Sequence, residues 1–392
     1  MRTVVSVTND LVTDQRVHRS CMALHSAGHT VTLVGRRLPG SGDVSRPYST
    51  VRMRLLFRKK AVFYAEYNIR LFLRLLFMRA DLIYANDTDT LPACYLAARL
   101  KGKPLFFDAH EMFPEVPELV GREKVKRVWT AIENRLFPRI ASIKEMAAVT
   151  VCQSIADIYR ERYGLEMKVV RNVPMSFPPD SEEAESILSR LPSDKYLLLY
   201  QGAVNIGRGI EWVMDAMPYL PECHLVVAGN GDILDWLKQR AVESALTDRV
   251  TFLGRVEPRV LHTLTKSAAL GLSLLENRGL NYYYSLPNRI ADFVQAGVPV
   301  LATDFPEIHR VVEGYGIGRL VPPAPFHPER GTSTPPDPER LAETLMETIK
   351  HFRHELSSQE LEAIFSRAAA ELSWENDKKT LLEQVDTIIG KK

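Results

Sequence analysis

The chain has 392 residues, 45% of them hydrophobic, with a formal net charge of +2. One compact domain usually holds about 100–200 residues, so two domains with full cores are expected. A charge so close to zero names no polyanionic partner. The four cysteines, Cys21, Cys94, Cys152 and Cys223, form neither a CxxC pair nor a metal-ligand spacing. They read as buried thiols of a reducing compartment. No run of about 20 apolar residues suggests a membrane span, and the first eight residues lack a secretory leader's longer apolar run. A cytoplasmic protein is expected, with contact to the inner membrane face left open.

In chain order, residues 3–7 read as a β-branched strand and 16–27 as a helix closed by Gly28. Residues 30–34 form the next strand, 82–85 another, then 91–100 a helix and 104–107 a strand. Residues 146–149 and 169–170 continue the strand pattern. Residues 178–194 are polar and proline-containing and read as a linker or peripheral segment. A second alternation follows, with strands at 196–200, 224–228, 250–253, 270–275, 298–302 and 318–321. Helices at 209–217, 233–243, 259–266 and 288–295 lie between them. Residues 322–338 read as an exposed loop, and 341–353, 357–371 and 378–389 as helices. Alternating strands and helices predict α/β architecture with parallel, doubly wound sheets. Two such units in tandem imply ligands beyond the strands' carboxyl ends, in a cleft between them. The expected domains are 1–179 and 180–370, with 371–392 a terminal helix returning to the first.

The run from Ser285 to Val300 reads as turn, helix, glycine stop and strand. It places Asn288, Arg289 and Asp292 at a helix start, where an anion and a set of hydroxyls can be met together. The alternative for Asp292 and Arg289 is helix-end electrostatics. Gln201-Gly202-Ala-Val-Asn-Ile-Gly207-Arg208-Gly209 follows a strand. Its glycines let backbone amides approach an anion, and Arg208 adds a phosphate clamp. The Gly-Lys-Ser/Thr ending of a P-loop is absent, and an ordinary strand-to-helix turn is the alternative. His110 follows the 104–107 strand and suits orientation of a hydroxyl or balance of charge on a sugar ring. Asn9, Asp10, Asp14 and Arg16 after the first strand, and Asp87 after the 82–85 strand, supply donors and acceptors for a polyhydroxylated ligand. Helix capping accounts for at least one residue in each cluster. No metal-site pattern is present, and no metal is assigned.

Residues 52–79 carry Arg52, Arg54, Arg58, Lys59, Lys60, Arg70, Arg74 and Arg79 against Glu66, interleaved with leucines and aromatics. One reading is an anionic membrane surface. The other is a helix packed on the sheet. No nucleic-acid-binding module accompanies the segment, so nucleic acid is not expected.

Together these motifs resemble the retaining glycosyltransferases of the GT-B fold, family 4. The resemblance runs through Asn9-Asp10-Leu-Val-Thr-Asp14-Gln-Arg16, Gly28-His, Asp108-Ala-His110-Glu111, Gly202 to Gly209, Gly229-Asn-Gly231, Phe252-Leu-Gly254 and Ser285 to Val300. It implies two Rossmann-like domains facing a cleft, the second binding a nucleoside diphosphate sugar and the first the acceptor. No further cofactor is implied. Arg208 stands at the family's phosphate-binding lysine and Asp292 at its ribose-binding carboxylate. His110 stands at the histidine near the donor sugar. Ala203 replaces a customary arginine and Tyr284 a customary glutamate, with Arg289 placed to supply part of the missing charge. The catalytic set implied is His110, Arg208 and Arg289, with Gly202, Gly209, Asn288 and Asp292 binding the donor. Asn9, Asp10, Asp14, Arg16 and Asp87 fall on the acceptor side, and Trp374 is structural. The expected acceptor is a glycan or glycolipid, such as a lipid-linked or cell-surface precursor. The alternatives are a GT-B-fold nucleotide-sugar epimerase and a non-catalytic carbohydrate- or partner-binding protein.

Overall fold

The computed structural model describes every residue except 13, 117–118, 120, 174–180, 328–331 and 391–392. Thr13 of the first loop, the expected domain boundary at Pro179, and Pro178 and Asp180 of the expected linker lie outside the described residues. The chain forms two compact units, Met1–Asn172 with Glu375–Lys392, and Val173–Trp374.

Unit 1 runs β1 (Arg2–Asp10), α1 (Gln15–Ser26), β2 (Thr30–Arg36), β3 (Ser49–Met53), α2 (Lys60–Phe77), β4 (Leu82–Asn86) and α3 (Asp87–Lys101). It continues with β5 (Leu105–Ala109), α4 (Glu123–Ala141), β6 (Met146–Thr150), α5 (Gln153–Tyr163) and β7 (Lys168–Val169). The strands form one sheet in the order β3-β2-β1-β4-β5-β6-β7, with every pairing parallel. The order reverses beside β1, which puts the ends of β1 and β4 at a topological switch point.

Unit 2 holds α6 (Ser181–Leu188), β8 (Tyr196–Gln201), α7 (Ile210–Ala216), β9 (Cys223–Ala228), α8 (Leu234–Glu243), β10 (Val250–Gly254), α9 (Pro258–Lys266) and β11 (Leu270–Ser273). Then come α10 (Leu280–Tyr283), α11 (Asn288–Ala296), β12 (Val300–Thr303), α12 (Pro306–Tyr315) and β13 (Gly318–Val321). A hairpin of β14 (Phe326–His327) and β15 (Thr332–Ser333) follows, then α13 (Pro338–Lys350) and α14 (Ser358–Glu371). The main sheet is parallel, in the order β10-β9-β8-β11-β12-β13. Its strands are buried on both faces: Leu198, Tyr200, Leu225 and Val227 enter one core, and Leu199, Val226 and Ala228 the other. Two-sided burial explains why these strands read as unbroken apolar runs.

The last helix, α15 (Trp374–Ile389), buries Leu381, Val385 and Ile388. Its Asp377, 1% exposed, is joined to Arg171 at 3.2 Å, within unit 1. Trp374, at its start, packs against a core of unit 2.

The polar stretch read as a linker or peripheral segment contains α6, whose Ala184 packs on Val260 and Leu264 of α9. Two other stretches differ from expectation. The loop at 322–338 contains the β14–β15 hairpin. Helix α4 was not expected, and its buried stripe explains why. Trp129, Glu133, Phe137 and Ile140 recur at helical spacing, but a glutamate stands among them and Pro138 lies inside the helix.

Glu133 is 2% exposed and accepts a hydrogen bond from Thr88 Oγ1 at 3.0 Å. Burial pushes its carboxyl up to about 8. A carboxyl raised in the folded state binds its proton there while the unfolded chain has released it, so stability falls as pH rises from about 4.5 to about 8. Glu133→Gln should flatten that slope. Denaturant unfolding of both proteins at pH 5, 6.5 and 8 checks this, and parallel slopes would refute it.

Candidate functional site

In unit 2 the candidate site begins where β8 stops. Gly202 takes φ +117°, which disfavours any residue with a Cβ, and its N–H donates to Ala228 O at 3.0 Å. Behind it, a Cβ on Gly229 would sit 1.8 Å from Gly202 O, so the two loops pass in direct contact. The turn closes at Gly209, the cap position of α7, with no side chain bonded to the cap.

Two guanidiniums flank this turn. Arg289 enters from the first turn of α11, is 7% exposed, and lies over the Tyr200 ring at 4.3 Å. Its Nη2 stands beside the α-carbon of Gly202, where the exposed Ala203 puts no side-chain charge. Arg208 lies over the Tyr282 ring at 4.7 Å. Ring faces offset part of the cost of sheltering a cation. Neither guanidinium is fully satisfied: Arg289 Nη1 and Arg208 Nε are buried without a hydrogen-bond partner. Burial lowers the Arg289 pKa, Tyr200 opposes the shift, and the charge of Arg208 adds to it. Two cations thus repel each other in a place where donors remain unused, and an anion between them would relieve both conditions.

Asp292 lies one turn beyond Arg289 and is half-buried. It accepts from Gln201 Nε2 at 2.9 Å, and Gln201 Oε1 accepts from Thr265 Oγ1 at 2.9 Å. The carboxylate is therefore oriented from behind by an amide locked to α9. Asn288 is exposed at the same helix start. Unit 2 thus brings together Gly202, Arg208, Gly209, Asn288, Arg289 and Asp292 around one strand-to-helix turn and one helix N-terminus. Sequence reasoning missed Gln201, Tyr200 and Tyr282. Gln201 had a signal, being the polar residue that ends an apolar strand just before the glycine turn. The stacking tyrosines had none, because cation–π partners are set by the tertiary fold. Tyr284 is half-buried, edge-on to Tyr283 at 4.9 Å.

In unit 1 a second polar group gathers at the ends of β4 and β5. Arg16 Nη2 meets Asp108 Oδ1 at 2.7 Å and Val170 O at 3.0 Å. Tyr84 donates to Asp108 Oδ2 at 2.8 Å. The His110 ring stands between two carboxylates, Nδ1 3.2 Å from Asp87 and Nε2 3.4 Å from Asp108. Asp87 takes φ +58° and accepts from the His110 backbone N–H at 2.7 Å, so a strained residue fixes the histidine. Burial opposes the imidazolium, but Asp87 and Asp108 outweigh it and raise the His110 pKa. Burial likewise opposes the Asp108 anion, yet Arg16 and His110 hold its carboxyl well below the usual range. Burial raises Asp87 against the pull of His110. Both ring nitrogens of His110 thus face carboxylates.

The remaining acceptor-side residues are engaged within the fold. Asp14 caps α1 by accepting from Val17 N at 3.0 Å, and Asn9 Nδ2 donates to it at 2.8 Å. Asp10 accepts from Leu38 N at 2.8 Å and pairs with Arg52 at 3.0 Å. Arg16, Asp87 and His110 stand together, whereas Asn9 with Asp14 and Asp10 with Arg52 form separate groups. Among the described residues no group of three or more His, Cys, Asp or Glu side chains is arranged to hold a metal ion.

Two tandem doubly wound units, one with two arginines beside a glycine turn, define a GT-B architecture. The sequence family "Glycosyltransferase Family 4" matches residues 14–174, and "Glycosyl transferases group 1" matches residues 195–351. The chain belongs to the GT-B-fold glycosyltransferases of these two family descriptions. Among curated relatives, it is similar to alpha-monoglucosyldiacylglycerol synthase of Streptococcus pneumoniae, 25% identical over 52% of this chain and 39% of that protein. Matched stretches span 20% to 43% of the length of the curated relatives. Sucrose-phosphate synthase from Thermosynechococcus elongatus superposes over all of both chains with TM-score 0.78 at 18% identity. Anabaena HepE in complex with UDP-glucose does so with TM-score 0.69 at 16% identity. These structures share the fold.

Gly229→Ala forces a methyl group into the Gly202 carbonyl. Overpacking of this kind costs about 1–3 kcal/mol. We expect a lower denaturant midpoint with an unchanged m-value, and an unchanged midpoint would refute the contact.

Proposed function

We propose that the chain is a retaining glycosyltransferase that moves a sugar from a nucleoside diphosphate sugar to an acceptor hydroxyl. One observation carries this reading: Arg208 and Arg289 stand close in unit 2 with buried, unused donors beside the Gly202 turn. A diphosphate supplies what that arrangement lacks, and its negative charge grows as the sugar departs. Asp292, held by Gln201, then accepts from the ribose hydroxyls. The UDP-glucose complex of HepE supports a UDP-sugar as the first donor to test.

In the proposed step the bond from the anomeric carbon to the diphosphate oxygen breaks. A bond from that carbon to the acceptor oxygen forms on the same face. The acceptor's proton passes to the departing phosphate oxygen, so atoms and charge balance without a protein nucleophile. Arg208 and Arg289 stabilise the leaving group, and His110 serves the sugar's oxygens. Asn9, Asp14, Arg16 and Asp87 belong to the acceptor side, with Asp10 shaping the loop after β2.

A lipid-linked or glycolipid acceptor has two supports. The pneumococcal relative is by name a synthase of a glucosyl diacylglycerol. The outer side of α2 and the turn before it expose Leu56, Phe57, Val62, Ile69, Leu73 and Phe77, with Phe77 86% exposed. Arg58, Lys59, Lys60, Arg74 and Arg79 are exposed among them. Apolar side chains among cations suit the headgroup layer of an anionic bilayer, as does a peripheral position at the inner membrane face. No described helix is long and apolar enough to cross a membrane.

Losing a charge-assisted hydrogen bond costs about 1.5–3 kcal/mol, or roughly 10- to 150-fold in affinity. Arg208→Ala and Asp292→Ala should each weaken binding of the preferred donor by that order, measured by ligand-observed NMR over UDP-, GDP-, ADP- and dTDP-sugars. Wild-type protein that is folded and binds none of them would sink the proposal. An inverted anomeric centre in the product would sink the retaining mechanism alone.

A further inference from the structure

A cavity of about 510 Å³ opens in unit 1 past the carboxyl ends of β2 and β3. Its walls include Arg36, Arg37, Arg54 and Arg58, with Leu55 and Phe57 between them, and no acidic side chain lines it. The lining is held from beneath. Asp10 accepts from Leu38 N at 2.8 Å, and Arg52 links Asp10 to Ser41 Oγ and to Gly42 O, the last at 2.7 Å. The loop after β2 is thereby fixed before any ligand arrives. Arg36 is pinned over the Phe63 ring at 4.8 Å, and its Nε is buried without a hydrogen-bond partner. The nearby carboxylate of Glu66 is occupied elsewhere, by the Leu56 and Phe57 amides and by Arg70. Four guanidiniums around one hollow repel each other, and guanidinium geometry matches phosphate oxygens two at a time. The volume falls in the range of small-ligand sites, and parallel sheets of this kind bind ligands at this end of their strands.

We propose that this cavity binds a phosphate monoester or diphosphate group, with Arg37, Arg54 and Arg58 contacting its oxygens and Arg36 supporting them. Leu55 and Phe57 accommodate the carbon skeleton attached to the phosphate. Calling this ligand the acceptor rests on the glycosyltransferase reading, and the acceptor is then a phosphate-bearing molecule. The anion site itself stands independently of that reading.

The test uses the full chain with inorganic pyrophosphate as probe, at about 0.15 M salt so that diffuse attraction is screened. Arginines are modified with phenylglyoxal and located by peptide mass spectrometry, which separates this cavity from Arg208 and Arg289. Pyrophosphate should slow modification of Arg37, Arg54 and Arg58 severalfold. The double substitution Arg37→Ala/Arg58→Ala, at two exposed positions, should leave the melting temperature unchanged. It should weaken the probe's hold on the cavity by about tenfold or more, read from the concentration that protects Arg54. Protection confined to Arg208 and Arg289 overturns the proposal and leaves the donor reading intact. Protection in unit 1 alone supports it and counts against the donor clamp. Flotation with phosphatidylcholine vesicles containing phosphatidic acid, reversed by pyrophosphate, identifies a lipid headgroup as the source. Protection by glucose 1-phosphate without flotation identifies a soluble phosphorylated ligand, and either result upholds the site.

Discussion

The second unit is organised around one costly arrangement, the burial of the Arg289 guanidinium within reach of the charge on Arg208. A guanidinium resists losing its proton, so the fold must shelter the charge rather than neutralise it. Tyr200 and Tyr282 supply ring faces, and Gly202, at φ +117°, makes the turn beside the Arg289 fork. The glycine at 229 follows from the same demand, because the turn that admits Arg289 is pressed against the end of β9. What remains unsatisfied is two nitrogens, one on each arginine. The diphosphate of the proposed donor would supply acceptors to both.

Unit 1 pairs its buried charges, yet it too keeps buried nitrogens without a hydrogen-bond partner, on Arg16 and His110. Arg16, Asp108, Tyr84, His110 and Asp87 are joined in one network, with cations and anions alternating. The result is a positioned imidazole whose pKa burial lowers and two flanking carboxylates raise, for a net upward shift. Such networks are demanding, since removing one partner exposes the others to uncompensated burial. The left-handed backbone at Asp87 fits this account: the strain is tolerated because its carboxylate grips His110 through both backbone and ring.

The sequence made parts of this legible and hid others for definite reasons. Strand runs such as Leu197-Leu-Leu-Tyr200 were readable because burial on both faces leaves no polar interruption. The Gly202–Gly209 turn and the α11 start were readable because their function depends on residue types at fixed local spacing. Helix α4 was hidden by Glu133, a carboxyl kept in the interior by Thr88 from another helix. Helix α6 was hidden because it has only 8 residues and buries one of them fully, Ala184, with Ile187 and Leu188 half-buried beside it. The pairing of Asp10 with Arg52, 42 residues away, had no local trace. Residue order alone groups Asp10 with the acceptor side, and the fold adds that its carboxylate organises the loop after β2.

That pairing also changes what the basic segment at 52–79 means. Counted along the chain, its eight cations form one basic run. In the fold they separate. Arg52 is drawn into the structure by Asp10, and Arg70 is tied to Glu66 at 2.8 Å. Arg54 and Arg58 turn toward a walled cavity, while Lys60 and Arg74 lie on exposed positions of α2. The buried stripe of the same helix, Phe63, Tyr67, Leu71 and Leu75, carries no charge. The segment is therefore one amphipathic element, with an apolar stripe in the core and exposed cations on its other side.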